Sequence, residues 1–340
     1  MTSPAEHVST VPLAHETWFV HRPESYPLEW SALDRPVVLV GLALVVGVAF
    51  AWRVAARWLP QPELARLGLL ARLLPWVPRL LAIHLGASLL LLAFGRAVLD
   101  PGIVVGSGFG QTLLLVPEAL AGLLLITGIG VPLAAYAVIA AGPVLLVLSG
   151  PQSLLTCLVL LGVAGFLIVL PPQPELGGRA RLDGPHLRPA LLLLRLGTAG
   201  SLLTLAVVEK LANPDMAKAI IAQEPVLNLL APLRISAGDF VVVAGCIEVL
   251  FALLVLSGAL PQVVALVAAV PFTASLLVFG GTELIGHLPV YGVLLTLLIL
   301  GSQAGTSRAV SWWPGRSSAG LGRSRPGDSC DLPAVANISQ

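Results

Sequence analysis

Long apolar stretches, broken at short intervals by arginine, proline and glycine, dominate the chain. Runs of about 17–25 residues, the length that crosses a hydrocarbon core as a helix, begin near Pro36, Val77, Thr112, Val131, Ser153, Ala190, Phe240, Pro261 and Leu288. Continuous Leu/Ala/Val/Gly runs lack the period-two alternation of a membrane barrel. In lipid each backbone polar group must be paired inside its own segment, so these runs predict helices. The expected fold class is therefore all-α: a polytopic membrane protein with about nine transmembrane helices.

Between the runs the pattern changes. Residues 1–35 are polar, with His7, His15, Trp18, His21 and Trp30 among acidic residues, and they lack the basic and apolar regions of a signal peptide, so this head is expected to persist in the mature protein. A first helix and a basic linker fill 36–77, and a second linker fills 172–188. From Gly301 the chain is rich in Ser, Gly, Arg and Pro, which predicts a disordered tail over 303–340. Composition agrees with lipid as the main solvent. Of 340 residues, 56% are hydrophobic and 11% charged, where soluble domains carry about a quarter charged.

Arginine placement sets the expected orientation, because basic residues accumulate in short cytoplasmic loops. Arg53, Arg57, Arg66, Arg72 and Arg79, then Arg179, Arg181 and Arg188, then Arg308, Arg316, Arg323 and Arg325 fall on one side when the head is placed outside. Trp52, Trp58 and Trp76 fall at the same boundary. This predicts an inner-membrane protein with an extracytoplasmic N-terminus and a cytoplasmic C-terminus. The excess of arginine over lysine reads as GC-rich bacterial codon usage.

The chain also repeats. Pro117–Gly128 (PEALAGLLLITG) aligns with Ile247–Gly258 (IEVLFALLVLSG), which places Glu118 on Glu248, and Ile83–Ser88 aligns with the run from Leu194, which places His84 on Arg195. Residues 78–171 and 189–302 thus read as two parallel four-helix modules after one extra helix.

Glu118 and Glu248 lie inside apolar runs, where an ionisable group costs about 3 kcal/mol. His84 and Arg195 are the nearest partners by depth, within about 5 Å of their glutamates along the membrane normal. The candidate intramembrane polar site is therefore His84, Glu118, Arg195 and Glu248. It reads either as a proton or ligand site or as ion pairs that fix helix register. Asp100, Glu283 and His287 read as interface residues within reach of water. The segment from Pro214 to Arg234 carries apolar residues at mostly helical spacing, as an interfacial helix does, and reads either as a lid or as a plain surface helix.

Other chemistries find little support. The three cysteines, Cys157, Cys246 and Cys330, have no CxxC spacing, the head histidines have no ligand spacing, and so no metal site is expected. Cys246 does not share a helix face with Glu248 and reads as a packing residue. GSGFG (Gly106–Gly110) joins two membrane helices and is not a phosphate cradle. No basic stripe interleaved with aromatics suggests nucleic acid.

The second module resembles the DoxX-like family of integral membrane proteins (DoxX/DoxD/MauE type). The resemblance rests on the EKL triplet at Glu209, Lys210 and Leu211, followed by a polar stretch and by GCIEVLFALLVLSG at Gly245–Gly258. It extends more faintly to the first module. There are departures: Ala252 replaces a frequent Gly, Pro261–Gln262 replace a basic turn, and the first module has GRAVLDP in place of a Lys-Leu pair. The resemblance implies two tandem DoxX-like modules and adds Glu209 and Lys210 as secondary site candidates. It also implies a membrane subunit or anchor linked to quinone and thiol redox chemistry, not catalytic by itself, with redox partner proteins and a quinone as the implied cofactor. A proton-coupled small-molecule transporter and a ligand-free scaffold are the alternatives. On the expected topology, a cysteine introduced at Ser31 reacts with an impermeant thiol reagent added to intact spheroplasts while Cys330 stays protected. The opposite labelling pattern would reverse the orientation.

Overall fold

The computed structural model describes Val20 and residues 25–106, 108–182 and 184–314. His7, His15, His21 and Cys330, and most of the expected tail, lie outside the described residues. The described chain is helical except for one two-stranded hairpin. In order, the elements are α1 (Pro36–Ala55), α2 (Val77–Phe94), β1 (Ala97–Val98), β2 (Asp100–Val104), α3 (Phe109–Thr127), α4 (Val131–Thr156) and α5 (Leu158–Val169). There follow α6 (Leu187–Leu205), α7 (Pro214–Gln223), α8 (Ala237–Ser257), α9 (Pro261–Phe279), α10 (Gly281–Leu300) and α11 (Ala304–Val310).

Six helical segments are long and apolar enough to cross a membrane, and a seventh span arises if the bent pair Ser149–Thr156 and Leu158–Val169 counts as one. Thr112–Thr127 and Val131–Val147 are shorter apolar helices. Several starts coincide with prolines at the first or second helical position, as at Pro36, Pro78, Pro132 and Pro261, where the missing N–H has no intrahelical acceptor to lose. The start expected near Ser153 is different. There α4 breaks at Gly150, whose φ of 82° is left-handed, and a separate bend of 59° follows at Cys157, between Ser149–Thr156 and α5.

The helices pair in a reciprocal pattern. α2 packs on α3 and α6 on α8, while α5 lies against α6 and α10 against α2. The α2–α3 crossing is close enough to require glycine on both sides. A Cβ on Gly86 would lie 2.7 Å from the Gly122 carbonyl oxygen, and one on Gly122 would lie 2.8 Å from that of Gly86. Leu81, Leu85, Leu89, Leu125, Phe166, Leu191 and Leu297, all essentially inaccessible, fill the shared core between these helices.

The two ends of the bundle differ. At one, the basic end, the arginine-bearing linkers meet the α3–α4 and α8–α9 turns. The other carries the hairpin and α7. The tail is not disordered from its start as expected: α11 packs on α6 and α10, with Ser307 and Val310 fully buried. Its seat is polar as well as apolar. Thr306 Oγ1 donates to the Leu300 carbonyl at 2.5 Å. Ser307 Oγ donates to Glu63 Oε1 at 3.5 Å, and the other Glu63 oxygen accepts from the Gln262 N–H at 3.4 Å.

Burial pushes the Glu63 carboxyl above its ordinary range, and the hydrogen bonds from Gln262 and Ser307 oppose this only in part. The folded state thus holds this proton more tightly than the unfolded chain does. Stability from Glu63 is full below about pH 4, the unfolded carboxylate range, and is lost as pH rises through the raised folded value. Glu63→Gln cannot ionise, so its melting temperature in detergent is expected to fall less than that of the wild type between pH 4 and 8. Parallel curves would remove Glu63 as a contributor.

Candidate functional site

Arg79, expected in a basic loop, and Arg195, expected in the intramembrane polar site, both act on helix ends. An α-helix leaves its last four carbonyls without intrahelical donors, and in α3 and α8 a guanidinium supplies them. Arg79 donates to the carbonyls of Leu125 (3.0 Å) and Ile126 (2.5 Å), just before Gly128. Arg195 donates through Nε (3.1 Å) and Nη2 (2.5 Å) to the Leu256 carbonyl, just before Gly258. Its Nη1 reaches the carbonyls of Val310 and Trp312, and the ring of Trp313 lies 4.8 Å away. Gly128 and Gly258 are both left-handed, with φ of 80° and 63°. That conformation ends a helix readily at glycine.

The expected Arg195–Glu248 pair is therefore absent. Arg195, 1% exposed, extends toward the basic end, and Glu248 lies eight residues, about 12 Å of helix rise, above the carbonyl that Arg195 binds. His84 does not meet Glu118 either. Its Nδ1 lies 2.8 Å from the Leu80 carbonyl, and its ring base packs on Gly292 of α10. Glu118 instead accepts a hydrogen bond from the Leu99 N–H at 2.9 Å. Leu99 is the left-handed corner of the hairpin, with φ of 59°, so Glu118 anchors the turn between β1 and β2.

Glu248 finds its cation on the helix where the EKL triplet lies. Beyond Leu205 the chain continues α6 as a wider π-helical turn, Ala206–Leu211, a distortion common at functional sites. This turn carries Glu209 and Lys210. Lys210 Nζ lies 2.9 Å from Glu248 Oε1 and 3.9 Å from Glu209 Oε2. Glu209 is wholly buried, while Glu248 Oε2 is buried and has no hydrogen-bond partner among the described residues.

This group borders a cavity of about 430 Å³, within the size range of small-molecule sites. Its walls are mainly apolar and include Phe240, Phe251, Phe272 and Phe279. Glu283 and His287, one turn apart on α10, form the remaining polar part of the wall. His287 Nδ1 lies 3.4 Å from Glu283 Oε1, and its ring centroid lies 5.0 Å from that of Phe272. Both residues, and Asp100 of the hairpin, are buried, at 1%, 5% and 7% exposure for Glu283, His287 and Asp100. The reading of these three as water-exposed interface residues is thus corrected. An acid and a histidine at i and i+4 in an apolar run was the sequence signal for the first two.

α7 forms part of the cavity wall. Ile220 and Ile221 face inward, and Val226 of the following turn joins them. Asn213 holds the start of α7: its side chain accepts from the Met216 N–H at 3.4 Å and donates to the Tyr26 carbonyl at 3.1 Å. Cys246 packs against Gly41 of α1, a packing role. Among the described residues no cluster of three or more His, Cys, Asp or Glu side chains forms a metal site.

Comparison with protein-family models, curated protein sequences and solved structures finds no match. Arg195→Ala, which strands buried carbonyls, is expected to destabilise the protein by about 3 kcal/mol or more. Glu248→Gln breaks a partly exposed ion pair and is expected to cost about 1–3 kcal/mol. Because the two groups are separate, the double mutant in a thermal unfolding series should be additive to within about 0.5 kcal/mol. A larger coupling energy would restore the direct pair.

Proposed function

We propose that this chain is a DoxX-like, multi-pass bacterial inner-membrane protein in which the second module holds a lipophilic small molecule of the quinone class. It serves as a membrane subunit or anchor for redox partner proteins. One observation carries the reading: an apolar, phenylalanine-lined cavity has the Lys210–Glu248 pair on one wall, Glu283 and His287 on another, and α7 along a third. The tandem arrangement 78–171 and 189–302 belongs to the same proposal. It is supported by the equivalent left-handed Gly128 and Gly258 and by the reciprocal packing of α5 on α6 and of α10 on α2.

The residues suit such a molecule. Aromatic side chains offer flat apolar surface to a ring, and a lysine ammonium is a strong donor to a carbonyl oxygen. The buried, unpartnered Glu248 Oε2 is a polar atom that a hydroxyl on a ligand would satisfy. A bound quinone would supply two-electron, two-proton chemistry. Lys210 would orient one carbonyl, the carboxyls and His287 would hold the protons, and α7 would keep bulk water out. Electrons would come from a partner protein, which is why the chain is not proposed as an enzyme by itself.

A second reading, a proton-coupled transporter, is favoured by the break at Gly150 and the π-turn at Ala206–Leu211, since interrupted helices commonly line transport sites. Protein purified from native membranes in mild detergent is expected to contain quinone in its organic extract. Lys210→Met and Glu248→Gln are expected to lower that content at least about tenfold while the protein remains folded, a loss of roughly 1.4 kcal/mol of binding. No quinone in the wild type, together with substrate-dependent proton flux in liposomes, would favour transport. Neither signal would leave the scaffold.

A further inference from the structure

The basic end of the bundle holds a cavity of its own, of about 660 Å³. It lies where membrane helices begin and end. Its walls come from the 3₁₀ turns of Ala65–Trp76 that lead into α2, from the linker before α6 and the first residues of α6, and from α11, which follows α10. Leu74, Leu182, Leu187 and Ala309 give it an apolar side. Leu69 and Leu73, on the same turns as Leu74, are exposed, so apolar surface continues outside the cavity.

The charged residues on its wall are Arg181 and Arg188, and no described residue that lines it is acidic. By sequence, the segments 60–76, 172–188 and 301–314 hold Arg66, Arg72, Arg179, Arg181, Arg188 and Arg308 against Glu63, Glu175 and Asp183. Glu63 already accepts from Ser307 and Gln262. None of these six arginines has a carboxylate partner among the described residues. Arg188 is also held in place. Its guanidinium carbon lies over the Trp312 ring, 5.9 Å from the centroid, so the ring takes the flat face of the cation and leaves the N–H groups around its edge as donors. Such donors match the oxygens of a phosphate, which a guanidinium binds in pairs.

We propose that this cavity binds the headgroup of an anionic phospholipid, with its phosphate at Arg181 and Arg188 and the start of its acyl chains along the leucine side. Basic pockets between membrane helices are recurrent sites for acidic headgroups. The cavity's size and its apolar side decide for a lipid, since a bare phosphate would leave most of about 660 Å³ unfilled. Charge decides for an anionic one: two guanidinium groups with no carboxylate beside them repel the ammonium of a zwitterionic headgroup. The site stands on its own residues and does not depend on what occupies the phenylalanine-lined cavity.

The test is thermal unfolding of the purified full chain in detergent, titrated with phosphatidylglycerol, phosphatidylcholine or inorganic phosphate at constant ionic strength. A ligand that binds only the folded state raises the melting temperature in a saturable way. Phosphatidylglycerol alone is expected to do so. Arg181→Gln and Arg188→Gln are each expected to raise the half-saturating lipid fraction about fivefold, the effect of one basic residue at an anionic lipid surface. Arg66→Gln and Arg308→Gln, at the same end but not on the cavity wall, are expected to leave it unchanged. If Arg188→Gln loses its contact with Trp312 and does not fold, Arg181→Gln, which breaks no ion pair, carries the same comparison. Equal melting with the two lipids, or a matching rise with inorganic phosphate, would overturn the proposal. Equal losses in all four variants would overturn it too, and would show attraction by diffuse surface charge.

Discussion

Helices packed in an apolar bundle leave carbonyls at their C-terminal ends that neither water nor lipid can satisfy there, and the basic end of this protein is organised around that requirement. Arg79 and Arg195 reach the ends of α3 and α8 over left-handed glycines. Trp52 and Arg53, at the end of α1, donate to Ala259 and Ser257 in the turn after α8. Gln262, in the first turn of α9, donates through Nε2 to the Leu298 carbonyl of α10 at 3.4 Å. A buried carbonyl left unpaired costs about 1–3 kcal/mol, so this set of side-chain donors fixes where α3, α8 and α11 end. The spacing of the membrane helices follows from it.

The same requirement explains which parts of the molecule were legible beforehand. Helix positions followed from apolar run length and from prolines, because both act locally. The Gly150–Pro151 pair marks the break inside α4, but nothing in the apolar run marks the 59° bend that follows at Cys157. Partner choice was harder to read. Counting residues along the membrane normal put Arg195 level with Glu248, but arginine is long enough for its guanidinium to travel most of two helical turns, and the nearest unsatisfied carbonyls lay in the opposite direction. Glu248 pairs with Lys210, on a π-turn that periodicity alone does not reveal.

The buried acids divide accordingly. Glu118 holds a hairpin corner through the Leu99 N–H, and Glu248 pairs with Lys210 beside a cavity. The same residue type thus serves two different surroundings, one closed by backbone and the other open to space.

α1 is the least embedded of the long helices, with 11% of its apolar window buried, and it packs on α8. It is nevertheless attached at both ends. Before it, the Glu29 N–H donates to the Ala212 carbonyl at 2.7 Å, next to Asn213 at the root of α7. In its last turn, Arg53 donates to the Ser257 carbonyl and also to the Ser311 carbonyl, at 2.8 Å, beyond α11. A 20-residue helix is about 30 Å long and nearly inextensible. α1 is thus a tie rod along the outside of the bundle, joining the segment beyond α11 to the root of α7, which lines the cavity.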